Sequence, residues 1–334
     1  MCAFRKELIL DIFIYAIIKL MIYDLIIIGG GPAGVSASVY AARKRLNTLM
    51  IVSEWGGQSI VSEEIYNWIG TVSIPGAKLA EDFKAHVLAN SKNDTNPNAT
   101  LSTLVGNKVI DIEKNGETFI VKTDDNQTFE TKTILISSGS SRRKLEALNA
   151  DRLEHKGLTY CASCDGPVFA DLDVVVVGGG NAGFESAAQL LAYCKSVTLI
   201  NRTETFKADE ITVEKISKNP KFKIIKNAII TEVLGEKFVT GIKYKDTVAN
   251  TENELAVSGI FVEIGQIPNT TFANKVVEID QIGRIKIDPW TNKTTTPGIW
   301  AAGDCTNILY HQNNIAAGDG VKALEDIYLY LHTK

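Results

Sequence analysis

The stretch Leu25-Ile26-Ile27-Ile28-Gly29-Gly30-Gly31-Pro32-Ala33-Gly34 is the strongest indication of the architecture of this chain. Its apolar and largely β-branched first part predicts a central parallel strand that is covered on both faces. The glycines that follow have the spacing G-x-G-x-x-G, and Val35 to Arg43 then predicts an alanine-rich helix. Since Thr48 to Val52 predicts a second strand, the segment is a β-α-β unit. Glycines at this turn allow a tight bend, close approach of a pyrophosphate and close packing of helix on strand.

The same pattern occurs again in the second half of the chain. Val174-Val175-Val176-Val177 leads into Gly178-Gly179-Gly180-Asn181-Ala182-Gly183. A helix is predicted from Phe184 to about Tyr193, and Val197 to Ile200 predicts the next strand. A single G-x-G-x-x-G is weak evidence, but two copies in the same strand–loop–helix context predict two dinucleotide sites. The helix N-terminus after each loop offers free N–H groups to phosphates.

The remaining segments predict the other strands and the last helix of two domains. Alternating residues predict antiparallel strands in Thr103–Phe129 and Phe222–Val262, while Thr133–Ile136 and Gly298–Asp304 predict further buried strands. Ala316 to about Leu331 predicts the last helix. We therefore predict an α/β fold of two Rossmann-like dinucleotide-binding domains, each a three-layer ββα arrangement, with the second inserted into the first. The first domain is predicted to comprise residues 21–142 and 271–334, and the second 143–270.

Residues 1–20 precede the predicted start of the first domain. Leu8 to Ile18 is strongly apolar, but it is too short to span a bilayer and Asp11 interrupts it. Since Met21 lies where the first domain should begin, we expect residues 1–20 to be an upstream extension. A membrane-surface or partner-binding helix is the alternative.

The composition is that of an ordinary globular protein. The 334 residues are 45% hydrophobic and 22% charged, with a formal net charge of -4 at pH 7. Without a long basic run the chain has no electrostatic footprint for nucleic acid. We expect neither nucleic acid nor a membrane as a partner.

Cys161-Ala162-Ser163-Cys164-Asp165 lies just ahead of the second glycine loop. A C-x-x-C pair can be redox-active, metal-binding or structural. A closed zinc site usually needs four ligands, and this sequence has neither a second C-x-x-C nor histidines spaced H-x3-5-H, so we expect no metal. We expect Cys194 to be a buried small apolar residue and Cys305 to be structural.

Together these motifs resemble those of low-molecular-weight thioredoxin reductases, within the FAD-dependent pyridine nucleotide-disulfide oxidoreductases. The resemblance covers residues 21–334. It rests on both glycine loops and on several further motifs in the expected order, namely Gly56-Gly57-Gln58, Cys161–Pro167, Gly265–Thr270, Ala301–Asp304, Tyr310–Gln312 and Ala316–Gly318.

The resemblance implies which residues bind the cofactors. The first domain should bind FAD and the second a reduced nicotinamide nucleotide. The residues matching FAD positions are Gly29, Gly31, Pro32, Ala33, Gly34, Gly57, Gln58, Asn67, Gly139, Gly303, Asp304, Gln312, Ala316 and Ala317. The residues matching nucleotide positions are Gly178, Gly180, Asn181, Ala182, Gly183, Arg202, Lys207 and Gly265.

The resemblance also implies a route for electrons. They would pass from the nicotinamide through FAD to a Cys161–Cys164 disulfide and on to the disulfide of thioredoxin. Cys164 would be the flavin-proximal sulfur, Cys161 the interchange thiol and Asp165 the general acid/base. The family further implies a homodimer in the cytoplasm, with hinges near Ser140–Arg143 and Pro268–Thr271 about which the inserted domain rotates.

The electron donor is less clearly indicated. NADPH-selective members carry a His-Arg-Arg-x-x-x-Arg cluster, of which Asn201–Lys207 retains one arginine and a final lysine. Arg202 and Lys207 can pair with a 2′-phosphate, which favours NADPH. NADH is the alternative, since Glu204 lies nearby and Lys207-Ala208-Asp209 resembles the NADH-using components of alkyl hydroperoxide reductases.

Two other functions are compatible with the residues. The first is an NADH-dependent reductase of another thioredoxin-like or peroxiredoxin partner. The second is a ferredoxin-coupled flavoenzyme of the same fold. The retained C-x-x-C and the retained second glycine loop count against the second.

Overall fold

The computed structural model of the protein describes residues 22–62 and 64–333, so the predicted extension at 1–20 lies outside the described residues. The described chain divides into two compact units. Unit 1 comprises the residues up to Glu64, Trp68–Ser141 and the residues from Ile267 onward. Unit 2 comprises Ile65–Asn67 and Arg142–Gln266. Within the described ranges, no helix is long and apolar enough to cross a membrane.

The secondary structure alternates strands and helices in both units. Strands β1 to β17 are, in chain order, Ile22–Gly30, Thr48–Trp55, Leu101–Val105, Val109–Asn115, Thr118–Thr123, Thr128–Ile136, Ser140–Arg142, Leu158–Thr159, Asp173–Val177, Ser196–Ile200, Phe222–Ile225, Ala228–Leu234, Gly241–Asp246, Thr251–Ala256, Gly259–Val262, Gln266–Pro268 and Ile299–Ala301. Helices α1 to α7 are Pro32–Arg43, Gly76–Asn90, Ala150–Leu153, Ala162–Asp165, Asn181–Leu190, Glu210–Ser217 and Asn313–His332.

Unit 1 is built on a mixed sheet with the strand order β3-β2-β1-β6-β5-β4. Strands β3, β2, β1 and β6 are parallel, while β6, β5 and β4 are antiparallel. Strand β17 runs parallel to the last part of β6. The prediction of antiparallel strands throughout Thr103–Phe129 is therefore wrong for β3, which pairs in parallel with β2. Alternation reports which face is buried and carries no information on the direction of the neighbouring strand.

Helices α1 and α7 pack in direct backbone contact. A Cβ atom on Gly320 would lie 2.1 Å from the Ala33 carbonyl oxygen. The Ser36 hydroxyl donates a hydrogen bond of 2.8 Å to the carbonyl oxygen of Ala317. This contact brings the first turns of α1 close to α7.

Unit 2 has three layers around the parallel sheet β11-β10-β9-β15-β8. The prediction of antiparallel strands in Phe222–Val262 is therefore wrong for β11 and β15, which pair in parallel with β10 and β9. Alternate residues of β9 point into different cores, as the pleat of a strand requires. Val175 and Val177 pack against the antiparallel sheet β12-β13-β14. Val174 and Val176 pack with residues of α5, such as Phe184. The α/β prediction with Rossmann-like ββα layers is confirmed.

Several helix bounds differ from the predictions. Helix α1 begins at Pro32, because a proline suits the first helical position, where its missing N–H costs nothing. Helix α5 ends at Leu190, so Cys194 follows the helix and does not lie on it. Cys194 is buried as expected, and burial raises the pKa of its thiol to about 11. Helices α2 and α6 were not predicted, although the buried residues of α2 have helical spacing at Leu79, Ala80, Phe83 and Val87.

Candidate active site

The first glycine loop packs closely on itself and leads into a helix N-terminus that no side chain caps. Gly29 has a positive φ of 123°, and a Cβ on Gly34 would lie 2.0 Å from the Gly29 carbonyl oxygen. The atom nearest to a Cβ on Gly31 would be the Cα of Gly57, at 3.9 Å. Helix α1 follows with Gly31 as its N-cap and no side chain capping its N–H groups. A glycine backbone that leads into free helix N–H groups fits the pyrophosphate of a dinucleotide.

Other residues that match FAD positions converge on this loop. Gly303 has a positive φ of 75°, and a Cβ there would lie 3.4 Å from the Cβ of Ala33 and 3.3 Å from the Cβ of Ala316. Asp304 is the next residue, and it is partly buried in the turn after β17. The structure thus brings the loop after β1, the turn after β17 and the start of α7 together.

The remaining matching residues of unit 1 lie at loop ends. The Gln58 amide donates hydrogen bonds to the backbone carbonyl of Ser140 and, at 3.0 Å, to its hydroxyl. Gly139 has a positive φ of 65°. Gln312 is the N-cap of α7, where no side chain caps the helix. Asn67 is grouped with unit 2, and its assignment to FAD stays a prediction.

Sequence reasoning missed Glu54 as a candidate ribose ligand. It is exposed near the end of β2, and a Cβ on Gly30 would lie 2.5 Å from the Glu54 carbonyl oxygen. An acidic residue at the end of the second strand accepts hydrogen bonds from ribose hydroxyls in dinucleotide sites. Its place roughly 20 residues after the glycine loop is the signal that identifies it.

The second glycine loop repeats this geometry in unit 2. Gly178 has a positive φ of 125°, and a Cβ on Gly183 would lie 1.9 Å from the Gly178 carbonyl oxygen. No atom lies within 4 Å of the position of a Cβ on Gly180. Helix α5 begins with Gly180 as its N-cap, again without a capping side chain. Asn181 and Ala182 form its exposed first turn, so this loop also fits a pyrophosphate.

The segment after β10 folds back onto this loop. The buried Asn201 amide donates hydrogen bonds to the carbonyl oxygens of Thr203 and Thr205, at 2.7 and 3.0 Å. The Lys207 N–H donates one of 2.9 Å to the Gly179 carbonyl oxygen. Arg202 and the Lys207 side chain are exposed beside the loop.

The Glu204 side chain is hydrogen-bonded to residues outside the nucleotide loop. Its two carboxylate oxygens accept hydrogen bonds from Lys226, at 3.0 Å, and from the Asn227 amide, at 2.7 Å. These bonds lower the pKa of the carboxyl group. The acidic residue that favoured NADH in the sequence is therefore paired with residues at the end of β11.

Two residues that follow β15, Gly265 and Glu263, lie near the second glycine loop. Gly265, which matches a nucleotide position, has a positive φ of 100° and accepts a hydrogen bond of 3.1 Å from the Arg143 N–H. Glu263, which sequence reasoning missed, follows β15 and accepts a hydrogen bond of 2.6 Å from the Ser186 hydroxyl. Burial raises the pKa of Glu263. The sequence signal is an acidic residue directly after an apolar strand.

The two cysteines form a disulfide across the single turn of α4. Cys161 is the N-cap of this helix, and Cys164 lies within it. Cys161 and Cys164 are joined, with their Cα atoms 5.3 Å apart. The Sγ atom of Cys161 accepts a hydrogen bond of 3.1 Å from the Cys164 N–H. Asp165 ends the same turn, and its carboxylate accepts a hydrogen bond from the Thr159 hydroxyl. The arrangement can take up two electrons and holds a carboxyl group in the same turn.

The other cysteine of interest is buried in unit 1. The Cys305 thiol contacts the carbonyl oxygens of Ile136 and Ala302, and burial raises its pKa to about 11. A buried, protonated thiol is consistent with the expected structural role. Among the residues that the structure describes, no cluster of three or more His, Cys, Asp or Glu side chains is arranged to hold a metal ion.

Two solved structures similar to this chain are thioredoxin reductases. The enzyme from Streptococcus pyogenes matches with a TM-score of 0.85 and 30% identity, over 94% of this chain and 99% of that chain. The enzyme from Giardia duodenalis matches with a TM-score of 0.85 and 29% identity, over 92% of this chain and 98% of that chain.

Among curated proteins, a subunit of alkyl hydroperoxide reductase from Staphylococcus epidermidis is 36% identical over 309 residues, which is 92% of this chain. This chain spans 59% of that relative's length. The model of the pyridine nucleotide-disulphide oxidoreductase family matches residues 23–320. Membership implies FAD and a pyridine nucleotide as cofactors, and the resemblance to low-molecular-weight FAD-dependent disulfide oxidoreductases is confirmed. The chain belongs to the pyridine nucleotide-disulphide oxidoreductase family.

Proposed function

We propose that the protein is a thioredoxin-disulfide reductase that passes electrons from NADPH, through FAD and the Cys161–Cys164 pair, to thioredoxin. The disulfide, with Asp165 in the same turn, is the observation that carries the proposal. The likeness to thioredoxin reductases over nearly their whole length supports it. Bound FAD would supply a two-electron relay between the nicotinamide and the disulfide.

Residues of unit 1 have defined tasks in this proposal. The backbone of the first glycine loop and the uncapped N-terminus of α1 would receive the FAD pyrophosphate. Glu54 would accept a hydrogen bond from the adenosine ribose of bound FAD. The uncapped N-terminus of α7, at Gln312, favours negative charge on a bound flavin.

The contrast between Glu54 and Asn201 supports NADPH as the donor. Both residues lie at the end of the second strand of a β-α-β unit and against the middle glycine of its loop. Asn201 lacks the negative charge that would repel a 2′-phosphate, and Glu204 is held by Lys226 and Asn227. The exposed Arg202 and Lys207 can then pair with that phosphate.

The dithiol exchanges its electrons with thioredoxin in two displacements. The Cys161 thiolate attacks one sulfur of the thioredoxin disulfide, that S–S bond breaks, and the leaving sulfur takes up a proton. Cys164 then attacks the Cys161 sulfur, which releases thioredoxin as a dithiol and restores the Cys161–Cys164 disulfide. Asp165 carries protons to and from these sulfurs.

An anaerobic titration of the FAD-loaded protein tests donor and partner together. We expect NADPH to reduce the flavin at lower concentration than NADH, and oxidised thioredoxin added next to gain thiols while the flavin is reoxidised. A flavin that NADPH does not reduce, or a reduced protein that leaves thioredoxin oxidised, would contradict the proposal.

The curated relatives favour a second candidate for the electron acceptor. They are named as subunits of alkyl hydroperoxide reductase, which points to a peroxiredoxin-type partner. Adding a peroxiredoxin and a thioredoxin separately to the reduced protein distinguishes the two, because only the natural acceptor should reoxidise the flavin rapidly. A homodimer and a cytoplasmic location rest on the resemblance alone, and analytical ultracentrifugation and cell fractionation test them.

A further inference from the structure

Thr159 connects the sheet of unit 2 to the carboxyl group beside the disulfide. It is a buried residue of the two-residue strand β8, where it pairs with Phe261 of β15. Its hydroxyl donates a hydrogen bond to the Asp165 carboxylate. Threonine has few χ1 rotamers available, so a buried threonine in a sheet holds its hydroxyl at a fixed place.

We propose that Thr159 is a positioning residue that holds the Asp165 carboxyl beside the dithiol and sets the pH at which it takes up or releases a proton. The inference deepens the proposed function and rests on the role given there to Asp165. Thr159 itself has no part in the motif that identifies the family resemblance.

The attachments of Asp165 do not use the sulfur atoms of the cysteines. The backbone N–H of Asp165 donates to the Cys161 carbonyl oxygen at 3.1 Å, and the Asp165 side chain is bound by Thr159. Neither bond involves a sulfur atom. Opening the disulfide therefore breaks neither of these two attachments of Asp165 directly.

A threonine hydroxyl suits a group that changes its protonation state. It donates to the ionised carboxylate, and after rotation about its C–O bond it accepts from the protonated acid. The bond to the ionised form is stronger, because a charged acceptor strengthens a hydrogen bond. Thr159 therefore favours the carboxylate and lowers the pH at which Asp165 is half protonated.

Two helical elements pack against the turn that carries Asp165. Helix α5 and the short helix Gly166–Phe169 pack against α4. Within these two described elements the single ionisable side chain is that of Glu185, which is exposed on α5. Tyr160, between Thr159 and Cys161, has its pKa raised by burial and so stays neutral at physiological pH. The hydroxyl of Thr159 is thus a group whose removal changes the environment of Asp165 without changing a charge.

The test is a pH titration of the Asp165 carboxyl by carbon-13 NMR in the FAD-loaded, full-length protein, with the signal assigned by its loss in Asp165→Asn. We expect Thr159→Val to raise the midpoint by about one pH unit, because it removes a hydrogen bond to a charged group. Thr159→Ser should restore the original midpoint. Thr198→Val, which removes another buried hydroxyl of the same sheet, should leave it unchanged.

Thr159→Ala provides a second variant if the valine is not accommodated. An unchanged midpoint in both Thr159→Val and Thr159→Ala, or the same shift in Thr198→Val, would overturn the inference. The pH profile of thioredoxin reduction should move with the midpoint. Full thioredoxin reduction by Asp165→Asn would instead defeat the role of Asp165 in the proposed function, while the titration would still report whether Thr159 controls the carboxyl group.

Discussion

Gly183 is in contact with Gly178, so that a Cβ atom on Gly183 would lie 1.9 Å from the Gly178 carbonyl oxygen. Gly34 has the same relationship to Gly29, at 2.0 Å. In each case the first turn of a helix meets the backbone that leaves the preceding strand. The two loops thus set each helix N-terminus in the same way, although they lie in different units.

We expect Gly183→Ala to destabilise unit 2 by about 2 kcal/mol, because the methyl group must displace backbone atoms. Gly180→Ala meets no atom within 4 Å and should fold normally. It should still weaken nucleotide binding, because its methyl group would occupy space at the second glycine loop. Thermal unfolding and equilibrium binding of NADP+ separate the effects. A stable Gly183→Ala variant would contradict the close contact.

Glu54 should contribute to FAD retention. We expect Glu54→Gln to weaken FAD binding by about tenfold, because a charged hydrogen-bond acceptor for the ribose is lost. The measurement is the ratio of flavin to protein after dialysis at low protein concentration. Ser53→Ala, at the exposed neighbouring position, is the control and should retain FAD. If both variants retain FAD equally well, Glu54 does not contact the cofactor.

Arg202 and Lys207 should determine the preference for the phosphorylated nucleotide. We expect the double variant Arg202→Ala, Lys207→Ala to lower the affinity for NADPH by about 10- to 100-fold, since it loses two charged contacts to the 2′-phosphate. The affinity for NADH should change little. The double variant Lys215→Ala, Lys237→Ala removes two exposed lysines of the same unit and serves as the control for net charge. An equal loss for both nucleotides would show that these side chains do not select NADPH.

The buried carboxyl of Glu263 should make stability depend on pH. Burial raises its folded-state pKa, so its contribution is fully present below the unfolded-state pKa and is lost as pH rises through the folded-state value. At neutral pH the ionised side chain therefore costs stability. We expect Glu263→Gln to raise the unfolding temperature by about 1–3 °C at pH 7 and to have little effect below about pH 4.

The matched control for this prediction is Glu252→Gln, which changes an exposed glutamate on β14 of the same unit. Its unfolding temperature should follow that of the unmodified protein across the pH range. A Glu263→Gln variant that is destabilised at pH 7 would show that the ionised carboxylate has a stabilising partner.

The parts of the site that the sequence predicts are those with strict steric or burial requirements. Gly34 and Gly183 admit no side chain, and the valines of β9 are covered on both faces, so their residue types reveal their positions. The helix at Gly76–Asn90 was missed although its apolar residues repeat with helical spacing.

Contacts between distant residues were not predictable in the same way. Glu263 accepts its hydrogen bond from the Ser186 hydroxyl, which is 77 residues away in the chain. The pairing of Glu204 with Lys226 and Asn227 depends on how β11 ends, which no local pattern reports. The direction of β3 was likewise set by its partner strand.

Trapping the exchange between Cys161 and thioredoxin tests the proposed electron route most directly. Cys164→Ser protein and thioredoxin lacking its second active-site cysteine, with its remaining thiol activated, are mixed and analysed by mass spectrometry under non-reducing conditions. Cys161→Ser protein is the control. We expect a mixed disulfide through Cys161 in the first variant and none in the second. No adduct at Cys161, or an equal adduct in both variants, would contradict the claim that Cys161 passes electrons to thioredoxin.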